Sequence, residues 1–293
     1  MTIYSRWLLG SAVGVFLALG MAAQDKAPNS SARPRVLVIQ REFVKPGKGG
    51  AVHEKAESAF VQAMARAKWP THYVAMQAMS GKPRVLFLTR YDSFDAWEKD
   101  SLAQQKNSAL TAALDRAGEA DGSLLDSSDQ NVFTYNEEFS LRPLADISGT
   151  HYLEIWVVHV RPGHYKEWSD SVKLAKSAFE KGVPTSHWAV YESAYGPLNG
   201  TYLFLTARKA AAELDREREE DKGFQAALGE DGLKKLDELF AASVESSESQ
   251  FFVINPEMSY PDEAWVKADP EFWKPKAPAA PSTKATKKSE SKP

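Results

Sequence analysis

The 293-residue chain contains no cysteine. Thiolate nucleophiles, disulfides, cysteine-ligated zinc and iron–sulfur clusters are therefore excluded. The sequence also lacks a Walker or Gly-x-Gly-x-x-Gly phosphate loop, a His-Glu-x-x-His pair and a Gly-x-Ser-x-Gly elbow, so nucleotide, metalloprotease and serine-hydrolase chemistry find no support. Its six histidines are scattered, with no metal-ligand spacing, and no metal is expected from them. Charge of one sign is scarce: 36 Lys and Arg stand against 39 Asp and Glu, a net of −3. Such a balance gives no field that would attract nucleic acid.

Long apolar runs are scarce as well, and the one that stands out lies at the start. Arg6 precedes an apolar core from Trp7 to Leu19, and Gly20-Met21-Ala22-Ala23 supplies small residues for cleavage. Residues 1–23 read as a secretory signal, too short to span a membrane comfortably. The mature chain is expected to carry no span and to be periplasmic or secreted. Residues 24–34 are polar and rich in Ser, Ala and Pro, which reads as a linker. At the other end, residues 261–293 read as an extended arm followed by a Lys/Pro/Ala-rich tail, where the last twenty residues hold six Lys and one Glu and cannot bury enough surface to fold.

Between these ends the chain repeats itself. Arg35–Gly47 reads RVLVIQREFVKPG and His151–Gly163 reads HYLEIWVVHVRPG, so that Val44-Lys45-Pro46-Gly47 and Val160-Arg161-Pro162-Gly163 stand 116 residues apart. Three more matches follow in the same order. Pro70-Thr71-His72-Tyr73 is answered by Pro184-Thr185-Ser186-His187-Trp188, and Leu86–Thr89 by Leu203–Thr206. Asn136, Glu138 and Ser140 are answered by Asn255, Glu257 and Ser259. A period of this length fits a duplicated domain rather than a solenoid unit.

Each copy predicts the order βαββαβ, a ferredoxin-like unit, over 35–145 and 146–260. In the first, a strand at 35–44 leads into a helix after Gly47 with Val52, Ala56, Ala59, Phe60, Ala63, Met64 and Ala67 on one face. Strands follow at 71–79 and 84–91. Ser93 caps a helical region with Phe94 and Trp97 on its buried side, and a last strand is expected at 131–140. The second copy repeats this from His151 to Ser259. In both first strands successive residues are apolar on both faces. A ferredoxin-like sheet has helices on one face only, so its other face needs a second cover, which the duplicated unit provides. The fold class is thus α+β: two tandem βαββαβ units pairing their sheets into an intramolecular α/β barrel.

This order, the helix opening after a strand-ending Pro-Gly and the Ser-Phe-Asp-Ala-Trp-Glu segment at 93–98 resemble the dimeric α/β-barrel superfamily, which includes antibiotic-biosynthesis-monooxygenase-like and NIPSNAP-like families. The resemblance implies a cavity between the sheets that takes a small apolar or aromatic ligand. It also admits a monooxygenase- or isomerase-type enzyme, haem held by a histidine, and further homo-oligomerisation. A module with a filled cavity is the remaining alternative. His72 and His187, at matching positions, and Glu154 are the candidate catalytic residues, because imidazole and a desolvated carboxylate can move protons near neutral pH. Gln40, Trp156, Trp188 and Tyr191 are the candidate ligand-binding residues, with Trp188 and Tyr191 also reading as packing aromatics. His159 faces opposite to Glu154, so the two cannot share a cavity. His53 and His164, at helix starts, are expected in solvent.

Overall fold

A computed structural model describes residues 34–144 and 146–274. The predicted leader over 1–23, nearly all of the linker and the tail beyond Lys274 lie outside the described residues. Among the described residues no helix is long and apolar enough to cross a membrane.

The first unit comprises β1 (Val36–Val44), α1 (Ala51–Ala67), β2 (Tyr73–Ala78), β3 (Arg84–Tyr91), α2 (Phe94–Lys106), α3 (Ser108–Gly122) and β4 (Leu125–Leu141). The second comprises β5 (Tyr152–Val160), α4 (Tyr165–Gly182), β6 (Trp188–Tyr195), β7 (Thr201–Arg208), α5 (Glu213–Ser243) and β8 (Val244–Ile254). The eight strands close into a barrel in the order β1-β3-β2-β8-β5-β7-β6-β4. Each half keeps its own antiparallel sheet, and the halves join edge to edge through β2–β8 and β4–β6. Closure gives each strand two neighbours, although the β2–β8 seam is short, Met76–Ala78 against Phe252–Ile254.

Both sheet faces are apolar because both are covered, as the strand patterns require. Leu37, Ile39, Leu86, Leu88, Leu153, Ile155, Leu203, Phe252 and Ile254 point into the barrel and form one buried cluster. The alternate residues Val158, Val160, Val190, Tyr202 and Phe204 pack outward beneath the helices of the second half. Each fully buried aliphatic side chain of this kind contributes about 1.5–3 kcal/mol.

The repeated Asn-x-x-x-Ser has a structural cause. Ser140 Oγ accepts the Val190 N–H of β6 at 2.9 Å, and Ser259 Oγ accepts the Ala75 N–H of β2 at 2.9 Å. Each serine in turn donates to the carbonyl of its asparagine, Asn136 or Asn255. The motif is a latch that ties the end of one half's last strand to the edge strand of the other.

Three expectations change. Residues 261–274 form two short helices instead of an extended arm, α6 (Glu263–Ala268) and α7 (Pro270–Trp273). Their buried Trp273 joins the barrel cluster and donates its indole N–H to Ser148 O, while His151 stacks on Phe272 and bonds Asp269 at 2.8 Å. Phe94, expected inside, is exposed and packs edge-on against the still more exposed Tyr195. The last strand runs from Val244 to Ile254, so Asn255–Ser259 is the latch turn and not strand.

Candidate functional site

The space between the sheets holds a continuous buried apolar cluster. All eight strands send side chains into the barrel, and Trp273 closes one end of it. Tyr191 is one of these: it is 6% exposed, packs edge-on to Tyr135 with centroids 5.5 Å apart and faces the interior.

An open pocket of about 510 Å3 lies instead on the outer face of the second sheet, beneath α4 and α5. Strand parity explains who lines it. Because Leu153 and Ile155 face the barrel, Glu154 and Trp156 must face the helices. The same holds for Phe204, Thr206 and Arg208 on β7 and Trp188 on β6. Trp156, Trp168, Phe179, Trp188, Phe204 and Phe240 make the walls. Two glycines set the roof: a Cβ on Gly223 would sit 2.3 Å from Gly182 O, and one on Gly182 would sit 2.1 Å from Gly223 O. Only this pair lets the backbones of α4 and α5 touch where they do.

The polar end is organised by Arg208, which is 3% exposed. It pairs with Glu154 and with both oxygens of Glu217. Burial pulls the guanidinium pKa down, and the bonds and charges of Glu217 and Glu154 more than restore it. Glu154 is therefore an arginine-paired carboxylate, not the lone desolvated carboxyl considered from sequence, and it is poorly placed to serve as a base. Two buried donors of the lining have no hydrogen-bond partner, Trp168 Nε1 and Arg208 Nε. Glu217, Glu220, Asp221 and Asp237 make the lining acidic.

Of the predicted residues, the pocket gathers Glu154, Trp156, Trp188 and His187. His187 sets both ring nitrogens against carbonyl oxygens, Thr185 O at 3.2 Å and Ala207 O at 3.0 Å. Neither nitrogen presents a lone pair to the pocket. His72 lies in the other half, stacked on Tyr260 at 4.7 Å, and Gln40 is exposed, donating to Glu42 Oε1 at 2.7 Å. Haem finds no free axial histidine in this pocket: both nitrogens of its one histidine point at carbonyl oxygens, α4 and α5 carry none, and the acidic lining repels haem carboxylates.

The first half holds a group that sequence reasoning missed. His53, expected in solvent, is 1% exposed. With Glu42, Glu57 and Asp121 it forms a buried cluster whose ligand atoms all lie within 4.8 Å of one another. The scattered histidines gave no metal spacing because the four residues come from β1, α1 and α3. The local signal was His53 and Glu57, four residues apart on one helix face. The helix was phased on its apolar residues, but Val52 is 54% exposed while His53, Glu57 and Ala63 are buried.

No protein-family model and no curated protein matches the chain. Solved structures do resemble it. A putative monooxygenase from Fusobacterium nucleatum is 10% identical, with 76% of this chain and 93% of that one covered and a TM-score of 0.49. A mutant chlorite dismutase from Candidatus Nitrospira defluvii gives 9%, 80%, 96% and 0.47, and a haem-binding protein from Thermus thermophilus 12%, 81%, 95% and 0.45. At this distance no chemistry is carried over from them. The topology itself is a closed eight-stranded antiparallel barrel with both βαββαβ halves in one chain.

Proposed function

We propose that the protein binds a small, flat, largely aromatic molecule in the pocket beneath α4 and α5. The observation that carries this reading is an aromatic-walled space of about 510 Å3 whose polar end is set by Arg208 with Glu154 and Glu217. Pockets of this volume, mostly apolar with a few polar anchors, are the usual form of a small-molecule site. The acidic lining favours an uncharged or cationic ligand over an anion. The apolar leader supports placing this binding outside the cytoplasm, which cell fractionation of the full chain tests.

A hydroxynaphthalene is a suitable probe. Its titration is expected to quench tryptophan fluorescence saturably at one molecule per chain. Ala175→Trp, which puts an indole into the pocket from a lining position on α4, should weaken binding by about tenfold or more, the equivalent of about 1.4 kcal/mol. Saturable binding of unchanged affinity in that variant would sink the proposal.

A further inference from the structure

The register of the repeat places each member of the buried cluster opposite an apolar residue. Val44-Lys45-Pro46-Gly47 and its copy put Glu42 at the position of Val158. The buried positions of α1 and α4, His53, Glu57 and Ala63 against Trp168, Val172 and Ala178, put His53 at Trp168 and Glu57 at Val172. Lys45 N–H donates to Leu124 O as Arg161 N–H donates to Ser243 O, which places Asp121 at Phe240. The second half thus builds this corner from Val158, Trp168, Val172 and Phe240, and the fold has no need of charge there. In the first half the same corner holds three carboxylates and an imidazole, each 3% exposed or less. Burying a carboxylate costs several kcal/mol unless something neutralises it.

Hydrogen bonding within the cluster does not suffice. His53 Nε2 faces Asp121 Oδ1 at 3.1 Å, Glu42 Oε2 at 3.2 Å and Glu57 Oε1 at 3.8 Å. It carries at most one hydrogen, and the bond goes to Glu42. Glu57 Oε1 and Asp121 Oδ1 are left without a hydrogen-bond partner. The Tyr73 hydroxyl, which feels the charges of Glu57 and Glu42, is also buried without one. Such convergence of a nitrogen and three oxygens on one small space is the arrangement of a coordination sphere. Ligands on one ion at about 2.1 Å stand about 3–4 Å apart, close to the separations seen. Gln40, by holding Glu42 Oε1, leaves Oε2 turned toward the cluster.

We propose that Glu42, His53, Glu57 and Asp121 bind a divalent first-row transition-metal ion. One imidazole with three carboxylates suits manganese, iron, cobalt or zinc better than calcium or magnesium. The ion supplies the positive charge that the three carboxylates lack and the partner that the two orphan oxygens lack. The site is sealed, so loading during biosynthesis is the appropriate route.

The test uses the untagged full chain, expressed in minimal medium supplemented with Co2+ or Mn2+ and passed through chelating resin. Mass spectrometry of the metal is expected to give about one ion per chain. The cobalt form should show visible d–d absorption. Glu57→Gln and Asp121→Asn, close in shape to the native residues, should cut metal content by about tenfold or more while keeping the wild-type circular dichroism. Ala175→Trp, in the other half, should leave metal content unchanged, which separates this site from the aromatic pocket. A folded wild-type chain with no bound metal, or metal retained in full by both Glu57→Gln and Asp121→Asn, would overturn the assignment.

Discussion

The two halves of the barrel share one backbone plan and differ in what lies between sheet and helices. Under α4 and α5 the second half packs Trp168, Val172 and Phe240 against Val158 and leaves an aromatic pocket beside them. Under α1 and α3 the first half places His53, Glu57 and Asp121 against Glu42. Topology fixes that a helix face must meet a sheet face at this corner. It does not fix whether apolar burial or charge neutralisation holds them together. A duplicated fold can therefore diverge in chemistry without altering its strands.

The largest effect should come from the aromatic corner. Trp168 is 1% exposed, so Trp168→Ala is expected to cost about 3–5 kcal/mol in chemical denaturation. A cost below about 1 kcal/mol would mean that the corner is not a packed core.

The comparison sharpens if the first half is given the residues of the second. A quadruple variant carrying Glu42→Val, His53→Trp, Glu57→Val and Asp121→Phe should bind no metal. It should be more stable than the metal-stripped wild type by about 1–4 kcal/mol, because well-packed apolar residues often outdo a buried ionic group. If that variant unfolds while each latch serine remains tolerant of change, the position-for-position match is wrong.

Between the helices, Gly223→Leu must push α4 from α5, since its Cβ would lie 2.3 Å from Gly182 O. Overpacking of this kind costs about 1–3 kcal/mol, and thermal melting together with the hydroxynaphthalene titration should register it. Among the described residues the first half has no such pair, so Gly118→Ala, where an added Cβ meets only Phe60 at 4.0 Å, should raise the melting temperature slightly, since Ala favours a helix interior over Gly by about 0.5–1 kcal/mol.

Symmetry predicts a matched pair at the latches. Ser140→Ala and Ser259→Ala should each cost about 1 kcal/mol, and by similar amounts, since each removes one acceptor from a strand-edge N–H. A cost confined to one of them would show that a single junction holds the halves.

The smallest effect concerns the barrel plug. The hydrogen bond from His151 holds the Asp269 carboxyl below its usual range. A depressed carboxylate contributes stability above its unfolded pKa of about 3.9 and loses it as pH falls through the lower folded value. Asp269→Asn should therefore be less stable than wild type near neutrality, with the difference vanishing in strong acid. A difference that grows on acidification would reverse the assignment.

Much of this was legible beforehand. The repeat, the βαββαβ order and the two-faced strands gave the barrel, because period-2 burial on both sides leaves few other ways to cover a sheet. Parity put Glu154 and Trp156 together. Tyr191 was grouped with Trp188 although the two stand three residues apart on β6 and so on opposite faces, and nothing local says which face becomes the interior. His53 was misplaced because α1 was phased on apolar residues, whereas its buried face carries a histidine and a glutamate whose partners lie 11 and 68 residues away at Glu42 and Asp121.

By itself the sequence determined the duplication, the strand and helix order and the closure of one half upon the other, all of which follow from local periodicity and from the need to cover apolar faces. Only the tertiary structure decided that an apolar cluster occupies the barrel interior, that an open pocket lies outside it under α4 and α5, and that four polar residues meet beneath α1. Those are properties of volume and of convergence between distant segments, and a one-dimensional pattern carries neither.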